Sequence, residues 1–294
     1  MNRMQPQQLH SQQLHFTIDG LQVAAQAWGN PEHFPVLALH GWLDNSASFF
    51  ALAPLLNNVY VVAIDMAGHG QTSHRLGAFP YNIWEDIAEI FAVADQLGWQ
   101  EFALLGHSRG AIIASLAAGT FPERISHLGL IEGLLPEPTQ SDDAPKQLAL
   151  SIKSIKTQTA KKMSFYPDLI SAINARERGM FPLSFQAAKA LTERGIKKVA
   201  EGYHWSTDQR LLAPSAIKLL PEQVAAFIAH ISCPITLVLA NDGLPKLFPN
   251  LTLALENYPK VKVHQLAGSH HLHMEQEVAA VAAILNPFFA NATA

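Results

Sequence analysis

A serine set between two glycines, Gly106-His107-Ser108-Arg109-Gly110, offers this chain a nucleophile. An apolar stretch of strand-forming residues precedes it (Phe102 to Leu105), and a run of small residues suited to a helix follows it (Ala111 to Gly119). Strand, sharp turn and helix in that order lift a hydroxyl above the edge of a sheet, and the glycines leave room where any larger side chain would collide. The chemistry this suits is acyl transfer. It requires a base to take the serine proton, a carboxylate to orient that base, and N–H donors for the oxyanion.

His270, directly after Gly268-Ser269 and following the last apolar strand, is the candidate base. Two residues compete for the acid. Asp242 lies just past the penultimate strand, in Asn241-Asp242-Gly243, where Asp-Gly is also an ordinary turn pair. Glu132 ends the strand after the small-residue helix, and a carboxylate at the end of a buried strand needs a buried partner. The reading favours Glu132 and leaves Asp242 open. For the oxyanion, the backbone N–H of Arg109 sits at a helix start, where the dipole favours negative charge. A second donor falls to the loop His40-Gly41-Trp42, with the Trp42 N–H donating and its ring lining the pocket. Asp65 and Gly68-His69-Gly70 read as architectural, and Asp44 as a brace for the oxyanion loop.

His271 and His273 flank the candidate base and read as structural histidines. A metal site at 270, 271 and 273 is set aside, because one loop does not readily aim three ligands at one ion and no His-Glu-x-x-His is present. With no Gly-x-Gly-x-x-Gly and no phosphate-loop lysine, nucleotide binding is not expected, and no cofactor is called for.

The elements that must position these groups alternate. Leu14 to Ile18 and Leu21 to Ala27 flank Asp19-Gly20, a hairpin signal. Pro35 to His40, Val59 to Ile64, Phe102 to Leu105, His127 to Ile131, Ile235 to Ala240 and Val261 to Leu266 read as buried strands. Ser46 to Leu56, Trp84 to Leu97, Glu222 to Ile231 and Gln276 to Leu285 read as helices. Such alternation means a doubly wound, mostly parallel α/β sheet, with ligands bound outside the carboxyl ends of the strands. Between Pro136 and about Pro214 the alternation gives way to amphipathic helical text rich in Lys, Gln, Ala and Arg. The division expected is a core of 1–135 and 215–294 with an inserted helical cap of 136–214. Cap aromatics Phe165, Tyr166, Phe181, Tyr203 and Trp205 are candidates for the pocket wall, though packing within the cap is the commoner use of such residues.

With 294 residues, 49% of them hydrophobic, the chain can bury one large core. A net charge of −4 without Arg/Lys clusters argues against nucleic acid as a partner. No apolar run approaches the ~20 residues of a membrane span. The Gln- and His-rich leader from Met1 to Gln13 has no apolar core of the secretory kind. The single cysteine, Cys233, rules out a disulfide framework and reads as a buried thiol. A cytoplasmic protein, monomeric or homodimeric, is expected.

Taken together, His40-Gly41-Trp42, Asp65 to Gly70, Gly106 to Gly110 and Gly268-Ser269-His270 make the chain resemble the α/β-hydrolase superfamily over nearly its whole length. Ile131-Glu132-Gly133 and His270 to Glu275 make it most similar to the serine hydrolase-like proteins of bacteria and animals. The layout also resembles haloalkane dehalogenases, some of which carry a Glu acid at the place of Glu132. Their nucleophile is an Asp where Ser108 stands, so dehalogenation is not implied. The resemblance implies a Ser-His-acid hydrolase with a helical cap. A serine esterase acting on a small-molecule carboxylic ester is the leading expectation; its rivals are a C–C bond or thioester hydrolase or lyase on the same triad, and a non-catalytic homologue that keeps the pocket to bind a ligand. The superfamily's usual Gly-x-x-Asp after the penultimate strand is broken here: Asp242 comes one position early and Gly243 occupies the expected site.

Overall fold

A computed structural model describes residues 11–248 and 255–290. The leader expected over Met1 to Gln13 falls mostly outside these residues, and Gln12 and Gln13 already belong to the first strand. Strands β1 (Gln12–Ile18) and β2 (Leu21–Trp28) form an antiparallel hairpin. Asp19 and Gly20 both take positive φ at its turn, the twist that matches a two-residue hairpin. Then come β3 (Phe34–Leu39), β4 (Val59–Ile64), β5 (Phe102–His107) and β6 (Ile125–Ile131), with β10 (Ile235–Asp242) and β11 (Val261–Ser269) closing the sheet. The order is β1-β2-β4-β3-β5-β6-β10-β11, parallel from β4 onward.

The parallel strands are buried on both sides because alternate residues feed two separate cores. Leu37, Leu39, Leu104 and Leu128 pack beneath α1 (Ile83–Gln96), α2 (Arg109–Thr120) and α6 (Pro221–His230). Val36, Ala38, Ala103 and Val238 pack with Phe49 and Leu52 beneath the last described helix, α7 (Val278–Ala290). Chain direction across the sheet reverses about β3, so the loops after β3 and β5 open on either side of one crevice, the place where such sheets bind ligands.

Two expectations are corrected. Ser46 to Leu56 is not an α-helix but two 3-10 turns, Ser46–Phe49 and Ala53–Leu55. Pro54 lacks the N–H that would bond back to residue 50, and Asn45 instead caps the first turn by accepting from the Ala47 N–H at 3.0 Å. The stretch 136–214 is not wholly helical either. It contains α3 (Ala144–Ala160), α4 (Leu169–Glu177) and α5 (Phe185–Gly195), but also an antiparallel sheet of β7 (Phe165–Tyr166), β9 (Gly202–Trp205) and β8 (Ile196–Val199). Gly202 takes a φ of 158° there, and a side chain at that point would meet Phe165 and the Tyr166 backbone, so the turn closes only on glycine. No helix among the described residues is long and apolar enough to cross a membrane.

Candidate active site

The turn between β5 and α2 is strained: Ser108 holds φ 51° and ψ −118°. Two constraints keep it there. The Ser108 N–H donates to the Ile131 carbonyl at 2.8 Å, tying the turn to the end of β6. A side chain at Gly106 would run into the backbone that opens α2, and one at Gly110 into the backbone at the end of β3. The strained turn is thus held by the Ile131 carbonyl and by the close approach of α2 and β3 to its glycines.

Three loops converge on the hydroxyl. His270 Nε2 lies 3.0 Å from Ser108 Oγ, and His270 Nδ1 lies 3.0 Å from Glu132 Oε2. Glu132 is fully buried and itself adopts φ 53°. Its Oε1 accepts from the Ala240 N–H and its Oε2 from the Leu244 N–H, both at 2.7 Å. Two backbone donors fix the carboxylate in place, and its Oε2 selects the tautomer of His270 that donates from Nδ1 and accepts at Nε2. Phe181, from the inserted stretch, stacks on the His270 ring at 4.2 Å between centroids and 26° between planes.

Asp242 does not take part. Its side chain is exposed and pairs with Lys246 at 3.1 Å. Gly243 explains the altered pattern, since a side chain built there would run into the Glu132 carboxylate. The space after β10 is filled by an acid that arrives from β6. Gly243→Ala is therefore expected to displace Glu132 and lower kcat about 10²-fold, with an overpacking cost of about 1–3 kcal/mol. Steady-state kinetics alongside a thermal melt would check it; unchanged kcat would mean that the carboxylate is not held as described.

Of the oxyanion-loop residues, Gly41 and Trp42 line the cavity, and the Trp42 indole N–H donates to the Leu211 carbonyl at 2.9 Å. The backbone N–H groups of Trp42 and Arg109 have no acceptor among the described residues. The Arg109 side chain points away, to Asp86 at 2.7 Å. His40 is corrected as a pocket residue. Its ring is fully buried, with Nε2 accepting from the Met66 N–H at 3.0 Å and the ring edge on His69, so it holds the β4 loop and not a ligand. Asp65 is architectural, as expected, accepting from the backbone of Ser46 and Gln71 and from Arg194.

Asp44 braces more than its own loop. Arg176 of α4 donates to its Oδ1 at 2.6 Å and His271 Nε2 lies 3.2 Å from its Oδ2. Burial pushes its pKa up, but His271, Arg176 and His107 more than offset that and hold it well below the usual carboxylate range. Asp44, His107 and His271 bring possible metal-ligating atoms within 4.8 Å of one another. With Arg176 and His271 already on the carboxylate, a divalent cation there would face an adjacent guanidinium. His270 and His273 point elsewhere, to Ser108 and to Ser48 at 2.8 Å, so the triple 270, 271 and 273 does not converge. His107 Nε2–H donates to the His270 carbonyl, 2.9 Å away, which ties the residue before the serine to the candidate base.

Those histidines carry a pH signature. Burial, reinforced by neighbouring imidazoles, holds His107, His273 and His69 well below the ordinary value of 6.5, and burial also lowers His40. They stay neutral in the fold while the unfolded chain protonates, so the unfolded state binds more protons and stability falls as pH drops below about 6.5. Each contributes up to about 1.4 kcal/mol per pH unit over that range. Thermal melts should show Tm falling between about pH 6.5 and 5.5, ahead of carboxylate titration; a flat Tm there would contradict buried neutral rings.

The serine opens into a cavity of about 490 Å³. Of the expected aromatics, Tyr166, Phe181 and Trp205 line it, with Trp42, Met163, Met180 and Leu212. Phe165 and Tyr203 do not.

A doubly wound sheet with a serine elbow, a histidine after the last strand and a buried acid defines an α/β hydrolase, and the chain belongs to that family. The model described as "alpha/beta hydrolase fold" matches residues 35–179. Among relatives, the chain is 33% identical over 228 residues to human "Serine hydrolase-like protein 2", spanning 75% of this chain and 72% of that one. It is 29% identical over 287 residues to the "Serine hydrolase-like protein" of Danio rerio, covering 91% and 85%. Among solved structures, a hypothetical protein of Pseudomonas aeruginosa PAO1 superposes with a TM-score of 0.91 at 41% identity, over 95% of this chain and 99% of that one. The "Thioesterase Domain From Curacin Biosynthetic Pathway" gives 0.81 at 28%, over 94% and 99%.

Proposed function

We propose that the chain is a serine hydrolase that cleaves small carboxylic esters through an acyl-enzyme. The observation that carries this reading is the continuous relay from Ser108 Oγ through His270 to Glu132, with 3.0 Å at each step. His270 Nε2 takes the hydroxyl proton as Oγ attacks the ester carbonyl. The tetrahedral oxyanion rests on the N–H groups of Trp42 and Arg109, both without a competing acceptor. His270 then protonates the departing alcohol, and the acyl group stays on Ser108. Water, deprotonated by the same imidazole, attacks the acyl-enzyme and releases the acid. Glu132 is not consumed; it holds the ring and stabilises the imidazolium. Phe181 over His270 and Arg176 on Asp44 make the 136–214 insertion a cap that shields this relay from solvent. A cytoplasmic setting suits the single buried Cys233, whose thiol burial pushes up to about 11.

Thioester cleavage by the same steps is the second reading. It is supported by the 28% identity to a thioesterase domain over almost the whole chain. Matched oxygen and sulfur esters of one short acyl chain, assayed for kcat/KM, test the choice. Faster turnover of the oxygen ester is expected; a sulfur ester favoured by tenfold or more, about 1.4 kcal/mol, would move the thioester reading ahead.

A further inference from the structure

The charged groups in the cavity wall fall into two sets. Its two carboxylates are already paired: Asp44 with Arg176 and His271, and Asp208 with Arg210 and the Tyr81 hydroxyl. Lys161 and Lys162, in the turn between α3 and β7, line the same cavity. Ion pairs of the described lysines fall at 146, 189, 218 and 246, and Lys161 and Lys162 join none of them. One turn earlier, Gln158 also lines the cavity, and its side-chain carbonyl end is buried without a hydrogen-bond partner. Exchanging the ends of that amide would place two N–H donors at the same spot, beside the lysines.

The surroundings strengthen the field. From Ala144 to Pro167 the chain carries Lys146, Lys153, Lys156, Lys161 and Lys162 and no Asp or Glu, although the whole chain is net negative at −4. A cavity rim of one sign, set in low-dielectric walls, attracts a ligand of the other sign and speeds its capture. Both lysines are exposed where they line the cavity, so an anionic group there meets two charges that no carboxylate of the wall has taken up.

We propose that the substrate carries an anionic group, a carboxylate or a phosphate, on the part remote from the scissile bond, and that Lys161 and Lys162 receive it. This rests on the hydrolase reading above and narrows it to a substrate class. The lysines set specificity; they do not touch the reacting atoms.

Two matched pairs of substrates test the inference and separate its two sources of charge. On the acyl side, the 4-nitrophenyl monoester of glutaric acid is compared with its methyl-capped counterpart. On the leaving-group side, S-acetyl-phosphopantetheine is compared with S-acetyl-pantetheine. In at least one pair the anionic member should be preferred by about tenfold or more in kcat/KM, and that ratio should shrink in about 0.5 M salt. In Lys161→Gln/Lys162→Gln the ratio should fall to about one. Ratios near one in the native protein, or a preference that survives in the double variant, would overturn the inference. Fluorophosphonate labelling of Ser108 is measured in parallel. Intact labelling with no charge preference removes only this inference, whereas absent labelling removes the hydrolase reading beneath it.

Discussion

Glu132→Gln is expected to lower kcat by about 10⁴, the scale at which a triad fails when its base is held in the wrong tautomer. The amide can still accept from the Ala240 N–H through its oxygen. Its NH2 would then face both the Leu244 N–H and His270 Nδ1, where Oε2 now accepts at 2.7 and 3.0 Å. Two donors would oppose a third, so the imidazole must give up the Nδ1 proton and lose its acceptor at Nε2. Leaving the Leu244 N–H without a partner also costs about 1–3 kcal/mol of stability, so a thermal melt must accompany the kinetics. Asp242→Asn, by contrast, removes only an exposed pairing with Lys246 and should leave kcat within about twofold. The opposite result, with Asp242 essential and Glu132 dispensable, would place the acid after β10 and require another partner for His270.

Ser108→Ala has the largest expected effect, a loss of at least about 10⁴ in kcat toward the residual rate that binding and oxyanion donors supply. Among the described residues the hydroxyl makes one hydrogen bond, to His270, while the Ser108 N–H bond to Ile131 is made by the backbone and survives. The fold should therefore persist, and the variant should still bind substrate, which equilibrium binding of an uncleaved ester would show. Substantial turnover by this variant would mean that the elbow serine is not the nucleophile.

Much of this arrangement was legible in the chain because its signals are local. The apolar run Val59 to Ile64 is a strand with those same ends, since a strand buried on both faces leaves no polar residue inside it. Ser108 and His270 stand out because a tight turn and the end of the last strand must place them. The acid was harder. Asp242 and Glu132 both end strands, and what separates them is that β6 and β10 are neighbours in the sheet, so that Glu132 can cross into the gap above Gly243. That is a long-range fact, although a glycine standing where an acid is expected was its trace in the sequence.

Other features left no such trace. The β8–β9 hairpin begins in Ile196-Lys197-Lys198-Val199, which reads as a continuation of the lysine-rich helical text until Gly202 turns it back. His40 looked like a pocket residue because it adjoins Gly41. One peptide unit separates a side chain in the wall from one in the core, and the direction depends on what the β4 loop offers, here the Met66 N–H. The Asp44–Arg176–His271 network joins three segments more than 90 residues apart, and neither composition nor spacing foretells it. Phe181 belonged to a set of five aromatics equally suited to packing, and only its stack on His270 distinguishes it.

The central claim is that His270 and Glu132 activate Ser108 for covalent catalysis. Intact-mass measurement after incubation with a fluorophosphonate tests it most directly. The account predicts one adduct on the native protein, none on Ser108→Ala, and slowed labelling of Glu132→Gln. An absence of adduct on folded native protein, or an adduct that persists in Ser108→Ala, would contradict it.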